Sequence, residues 1–203
     1  MTGTPVTAPA RAVAPDSTVS GRFARLSDAA SQPPQEIADL LATAALSPEM
    51  ATPRVFSTVP VGSRFGHASL VTGVSSGELL GLITNVEAEH YPGVAVLTIF
   101  MDRRRAKPVA SMEAWGLYVA RMFSLGARKV QMDALEFNGE VHSLMGKIGA
   151  TVEGVRRQHC YIAGRFWDVV VYGFTSRMWD DVARHYSTLY RGSPAWEVFA
   201  TER

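Results

Sequence analysis

Residues Ala127–Val182 read ARKVQMDALEFN, GEVHSLMGKIG, ATVEGVRRQHCYIAGRFWDVVVYGF and TSRMWDDV, and this stretch decides the fold. Val130, Met132 and Ala134 alternate with Gln131 and Asp133, the pattern of a strand with one buried face. Asn138-Gly139 ends that strand and opens an amphipathic segment with Val141, Leu144, Met145 and Ile148 on one stripe. Gly149 stands where the glycine after a helix belongs. Thr151–Ile162 and Phe166–Thr175 then read as two strands joined at Ala163-Gly164 into a hairpin. The order is strand, short helix, hairpin.

Upstream, Ser111–Phe123 places Met112, Trp115, Val119, Met122 and Phe123 at helical spacing, and Leu125-Gly126 stops it. Three extended runs precede that helix: His67–Val74, Leu79–Val86 and Val94–Met101. The last, VAVLTIFM, is nearly continuous in apolar residues, as befits a strand buried on both faces. Gln35–Leu46 is a further predicted helix with Pro33-Pro34 ahead of its first turn, Met50–Gly66 reads as loop, and Arg22–Leu26 as a short first strand. Residues 1–20, rich in Ala, Pro, Thr and Ser, are expected to form a disordered tail. Residues 21–182 are expected to form the domain, and residues 183–203 a C-terminal extension. The whole is an α+β domain around one mixed, mostly antiparallel sheet flanked by helices.

Composition narrows the function. The 203 residues carry a formal net charge of +1 and one cysteine. No global charge draws the chain to nucleic acid, and neither a disulfide framework nor a cysteine-built metal site is available. No apolar run approaches the ~18–20 residues of a membrane span, and the N-terminus lacks the apolar core of a signal peptide. A soluble cytoplasmic protein without metal, nucleic-acid or membrane partners is the expectation.

The ordered residues of the opening stretch resemble the GNAT superfamily of acyl-CoA-dependent N-acyltransferases, on the branch of the ribosomal-protein N-acetyltransferases. That branch closes a strand with Asn, has Lys nine residues on and Gly two further, as Asn138, Lys147 and Gly149 stand here. Glu153-Gly154, Arg156 or Arg157, Gly164, Asp168, Tyr172 and Trp179 continue the order over about fifty residues. The resemblance implies a sheet whose fourth and fifth strands, here Val94–Met101 and Lys129–Asn138, splay so that acetyl-CoA or another acyl-CoA wedges between them. It implies donor contacts through the main chain at Phe100, Met101 and Arg103, and through Asn138, Ser143 and Lys147. It also implies a phosphate loop formed by Arg103, Arg104, Arg105, Ala106, Lys107, Val109, Ala110 and Ser111. The family's glycines are missing from that loop, although Glu113-Ala114 is kept, and Pro108 donates no N–H.

The position from which relatives often supply a tyrosine acid is Met145, leaving His142 one turn earlier as the candidate. Glu87 and Glu89, at the end of the strand before the central one, are the candidate bases, with Asp133 and Glu136 behind them. Cys160 reads as a structural residue. The predicted activity is acyl transfer, acetyl above all, to a small-molecule or peptide amine by direct attack on the thioester. Two alternatives are a GNAT-shaped binding domain without catalysis and an enzyme whose acyl donor rides on a carrier protein. A homodimer is left open.

Overall fold

The computed structural model describes residues 18–29, 68–87, 92–102 and 104–189. The predicted Gln35–Leu46 helix and Met50–Gly66 loop lie outside them. The described elements run β1 (Val19–Ser20), β2 (Ala24–Asp28), β3 (Ala68–Gly73), β4 (Leu79–Glu87), β5 (Val94–Met101), α1 (Pro108–Ser124), β6 (Lys129–Leu135), α2 (Gly139–Lys147), β7 (Thr151–Ile162), β8 (Arg165–Thr175) and α3 (Ser176–Leu189). They form one eight-stranded sheet in the order β1-β2-β3-β4-β5-β6-β8-β7. Every neighbouring pair is antiparallel except β5 and β6. The α+β architecture read from the sequence is the one observed.

β5 is central, as its apolar run demands. Leu97 and Met101 join the large core under α1, whereas Phe100 packs with Ala29, Leu70 and Leu82 in a second, smaller cluster. α1 is buried along nearly its whole length because it lies across the sheet. Its Trp115 meets Phe174 of β8 and Trp179 of α3 edge-on, with ring centroids 6.0 and 6.1 Å apart. Trp179 thus ties α3 back onto the sheet. Burial pushes the Tyr118 phenol above its ordinary range. It stays protonated and donates to Asn85 Oδ1 at 2.5 Å.

The first strand differs from the Arg22–Leu26 expectation, and the reason is a buried carboxylate. Glu113, fully buried on α1, accepts the N–H groups of Arg22, Phe23 and Ala24 at 2.8, 2.6 and 2.7 Å. Those amides bind a side chain rather than a neighbouring strand, so the chain turns at Gly21-Arg22-Phe23. Val19–Ser20, assigned from composition to the tail, pairs with Leu26 and Arg25 instead. Gly21 has to be glycine, since a Cβ there would overlap the Glu113 carboxyl group. α2 ends as expected. Gly149 takes φ +70°, Ala150 N–H reaches Met145 O at 2.9 Å and Gly149 N–H reaches Gly146 O at 3.2 Å, the two bonds of a Schellman motif.

Glu113→Ala leaves three donors without their acceptor, and a loss of about 3 kcal/mol is expected, read as a lower urea midpoint at unchanged m. Gly21→Ala should lower the midpoint too, because Glu113 is pinned from three sides.

Candidate functional site

The site begins where two strands stop sharing hydrogen bonds. β5 and β6 pair in parallel only from Val94↔Lys129 to Leu97↔Met132. Beyond that, each follows its antiparallel neighbour. Asp102 N–H donates to Leu80 O at 2.8 Å, holding the end of β5 to β4. Glu136 N–H donates to Asp168 O at 3.0 Å, holding the end of β6 to β8. Between the parting strands lies a cavity of about 930 Å³, lined also by residues of α1 and α2. The splay expected of Val94–Met101 and Lys129–Asn138 is present, with β6 ending at Leu135.

Peptide groups alternate along a strand, so the two anchoring bonds fix which ones face the gap. Phe100 and Asp102 bond toward β4, which leaves Ile99 and Met101 turned to the cavity. Likewise Ala134 and Glu136 bond toward β8, and the Asp133 peptide faces inward, whereas Leu135 O accepts from Asn138 N–H at 2.8 Å and from His142. Phe100 lines the cavity, but its main chain is directed to Leu82 of β4. The main-chain expectation therefore moves from Phe100 to Ile99, alongside Met101. Arg103 is outside the described residues.

The loop before α1 spends most of its own amides. Arg104 N–H donates to the Asp102 carboxylate at 2.9 Å, and the N–H groups of Arg105 and Ala106 donate to Asp102 O. Arg105 also pairs with Asp102 through its guanidinium at 3.3 Å. The helix starts at Pro108, three residues before the expected Ser111, so Val109, Ala110 and Ser111 form its first turn. Proline at that first position costs the helix no bond, yet it withholds one of the free N–H groups with which a helix start would hold a phosphate. Ala110 and Ser111 N–H both reach Lys107 O. Ala106, Pro108 and Ser111 line the cavity, while Arg104, Arg105 and Lys107 are exposed beside it and Val109 and Ala110 lie behind.

α2 supplies the opposite wall. Asn138 both lines the cavity and caps the helix, its Oδ1 accepting Val141 N–H at 3.4 Å, and Ser143 and Lys147 line it one and two turns on. His142 does not line it. Its Nε2 lies 3.0 Å from Leu135 O and 3.2 Å from Glu136 O, so that nitrogen carries the proton. Nδ1 then accepts from Tyr172 O–H at 2.7 Å. Both ring nitrogens are used to staple α2 to β6 and β8, a structural role in place of the expected acid. Of the candidate bases, Glu87 ends β4 opposite Ala95, with its side chain outside the described ones, and Glu89 is outside the described residues altogether.

Sequence reasoning expected the hairpin around Ala163-Gly164 to wall the acceptor pocket but singled out no cavity-lining residue on β7. Arg156 pairs with Val169 and Cys160 with Trp167, so three residues of β7 stand opposite Asp168 alone. The bulge is held by the Asp168 carboxylate, which accepts Arg157 Nη1 at 2.5 Å and Gln158 N–H at 2.8 Å. Gln158 takes φ 48° there. Consecutive residues of a regular strand point to opposite faces, yet His159 and Cys160 both line the cavity. The Gln158 N–H bond, followed by the Arg157 guanidinium, draws the Asp168 carboxyl below its ordinary range. Burial, then the neighbouring Asp133 carboxylate, pushes the Cys160 thiol up against the pull of Arg156. Cys160 remains a thiol at neutral pH. Of the residues that form this clamp, Asp168 and Arg157 stand in the ordered set read from the sequence, and Gln158 does not.

No protein-family model and no curated protein sequence matches the chain. Solved structures do. A GCN5-related N-acetyltransferase from Brucella melitensis aligns over 87% of this chain and 86% of its own, with 21% identity and a TM-score of 0.67. A GNAT-family protein from Chromobacterium violaceum aligns over 89% and 98%, with 19% identity and a TM-score of 0.64. The GNAT-family acetyltransferase from Streptococcus pneumoniae aligns over 75% and 99%, with 18% identity and a TM-score of 0.57. The chain has the GNAT fold. None of its described helices is long and apolar enough to cross a membrane.

A carboxyl group whose folded pKa is lowered stabilises the fold above its ordinary pKa, and that contribution is lost as pH falls through the folded value. Amide-exchange protection at Gln158 should therefore be flat at neutral pH and drop in acid below the ordinary carboxylate range. Asp168→Asn should remove that step and leave protection low throughout.

Proposed function

We propose that the protein is an N-acyltransferase that takes an acyl group, acetyl in the simplest case, from an acyl-CoA and passes it to an amine by direct attack. The observation that carries this reading is the gap between β5 and β6, open to about 930 Å³ and edged by peptide groups that no neighbouring strand uses. A pantetheine arm is a chain of amides and would pair with Ile99 and Met101 on one edge and Asp133 on the other. N–H groups on those edges would also polarise a thioester carbonyl. Asn138, Ser143 and Lys147 would hold the donor from α2, and Lys147 and Arg104 would meet phosphates as side-chain cations. The protonated Cys160 thiol supports direct transfer over a covalent enzyme intermediate. The order Asn138, Lys147, Gly149, Glu153-Gly154, Asp168 and Trp179 supports the ribosomal-protein N-acetyltransferase-like branch, with a peptide or small-molecule amine as acceptor.

The carrier-protein reading has one observation in its favour. Asp102 occupies the amides of Arg104, Arg105 and Ala106, leaving fewer backbone donors for a nucleotide pyrophosphate. A phosphopantetheine arm needs the strand edges and one phosphate site only.

Calorimetry with acetyl-CoA, followed by thiol release with an amine panel, tests the first reading, and no binding at millimolar donor would sink it. Acetylated carrier protein as competitor separates the two donors. Ser143→Trp puts an indole on an exposed wall of the cavity and should weaken acetyl-CoA binding about tenfold or more, ~1.4 kcal/mol, at unchanged melting temperature.

A further inference from the structure

We infer that His159 is the general base of the reaction, held on station by the Asp168-clamped bulge of β7. The inference rests on the acyl-transfer reading of the cavity and names the group that makes the acceptor amine nucleophilic. Amines reach an enzyme largely as ammonium ions, and an ammonium cannot attack a carbonyl until a proton has left.

Among the described residues, the titratable side chains lining the cavity are Asp133 from β6, Glu140 and Lys147 from α2, and His159 and Cys160 from β7, with none from α1, β5 or β8. Asp133 is engaged on both oxygens, by Arg156 Nη1 at 2.6 Å and by Gln131 Nε2 at 3.3 Å. Glu140 sits in the first turn of α2, where the helix terminus favours its charge, on the wall read as the donor's. Lys147 is on that same wall, and an ammonium has no lone pair to offer. Cys160 holds its proton. His159 is exposed and has no hydrogen-bond partner among the described residues. Its imidazole can take a proton inside the cavity and return it to water, and imidazole is the side chain suited to do so near neutral pH.

The bulge explains how an edge strand delivers it. Without the two extra residues, the alternation of β7 would turn either His159 or Cys160 away from the cavity. Asp168 and Arg157 are thus positioning residues.

The step balances. His159 accepts one proton from the acceptor ammonium, and the freed amine nitrogen bonds to the thioester carbonyl carbon. The carbon–sulfur bond breaks with its electron pair on sulfur. The second nitrogen proton ends on that sulfur, and the first leaves His159 for solvent. The products are an amide, a thiol and one released proton.

The test uses the full chain, acetyl-CoA and an amine that the wild-type protein acetylates, with donor binding measured in parallel by calorimetry. His159→Ala is expected to lower kcat/KM about 100-fold or more, leave acetyl-CoA affinity and melting temperature unchanged, lose the ascending limb of the pH–rate profile, and recover activity on adding imidazole. Asp168→Asn is expected to lower kcat more than it alters donor affinity, with no imidazole rescue. Wild-type activity and pH profile in His159→Ala, with donor still bound, would overturn the assignment and leave the transferase reading intact. A wild-type protein that binds no donor or acetylates no amine overturns both.

Discussion

The strands β5 and β6 each have a stronger commitment elsewhere. β5 is bonded to β4 from end to end, β6 is bonded to β8 likewise, and both partners are antiparallel. Past Leu97 and Met132 each strand follows its longer antiparallel ladder, and the parallel pair parts. The four parallel pairs from Val94 to Leu97 are what remains, and the unpaired ends become two edges facing each other across a cavity. Exposed strand edges are ordinarily a liability. Enclosed between α1 and α2, they become a binding surface of backbone groups whose geometry is fixed by the rest of the sheet.

The surrounding elements keep that gap open. α1 lies across one face, fixed at its start by Glu113 and in its middle by Trp115 against Phe174 and Trp179. α2 is fixed by Asn138 at one end, by the Gly149 turn at the other and by His142 between them. The hairpin β7–β8 makes the third wall, and its bulge is fixed by Asp168. Several residues that look chemical in the sequence turn out to be fasteners. Glu113 spends its carboxylate on backbone, and His142 and Asp168 divide their polar atoms between backbone and the side chains of Tyr172 and Arg157, while Asn138, Ser143, Lys147, His159 and Cys160 line the cavity.

What the sequence determined by itself was the order and kind of the elements from β3 to β8, while the strand Val19–Ser20 and the helix Ser176–Leu189 went unread. Period-two and period-3.6 patterns follow from whether a residue faces a core, so Val94–Met101, Ser111–Phe123 and the strand read as Lys129–Asn138, which ends at Leu135, were legible, and so was Gly149, because a left-handed turn after a helix selects glycine. The first strand was misread because its limits depend on Glu113, about ninety residues away, which claims the amides of Arg22, Phe23 and Ala24. No local pattern can report such a bond.

The site divides along the same line. Asn138, Ser143 and Lys147 lie on one helix at fixed spacing, so their shared wall could be read from one segment. That Ile99 and Met101, rather than Phe100, offer their peptides to the gap depends on which neighbour β5 bonds to. That His142 is spent on Tyr172 depends on where α2 meets β8, and that His159 and Cys160 share the cavity depends on a bulge set by Asp168 from the opposite strand. Direction is a property of pairing. Pairing is decided only when distant stretches of chain meet, and the tertiary structure alone supplies that.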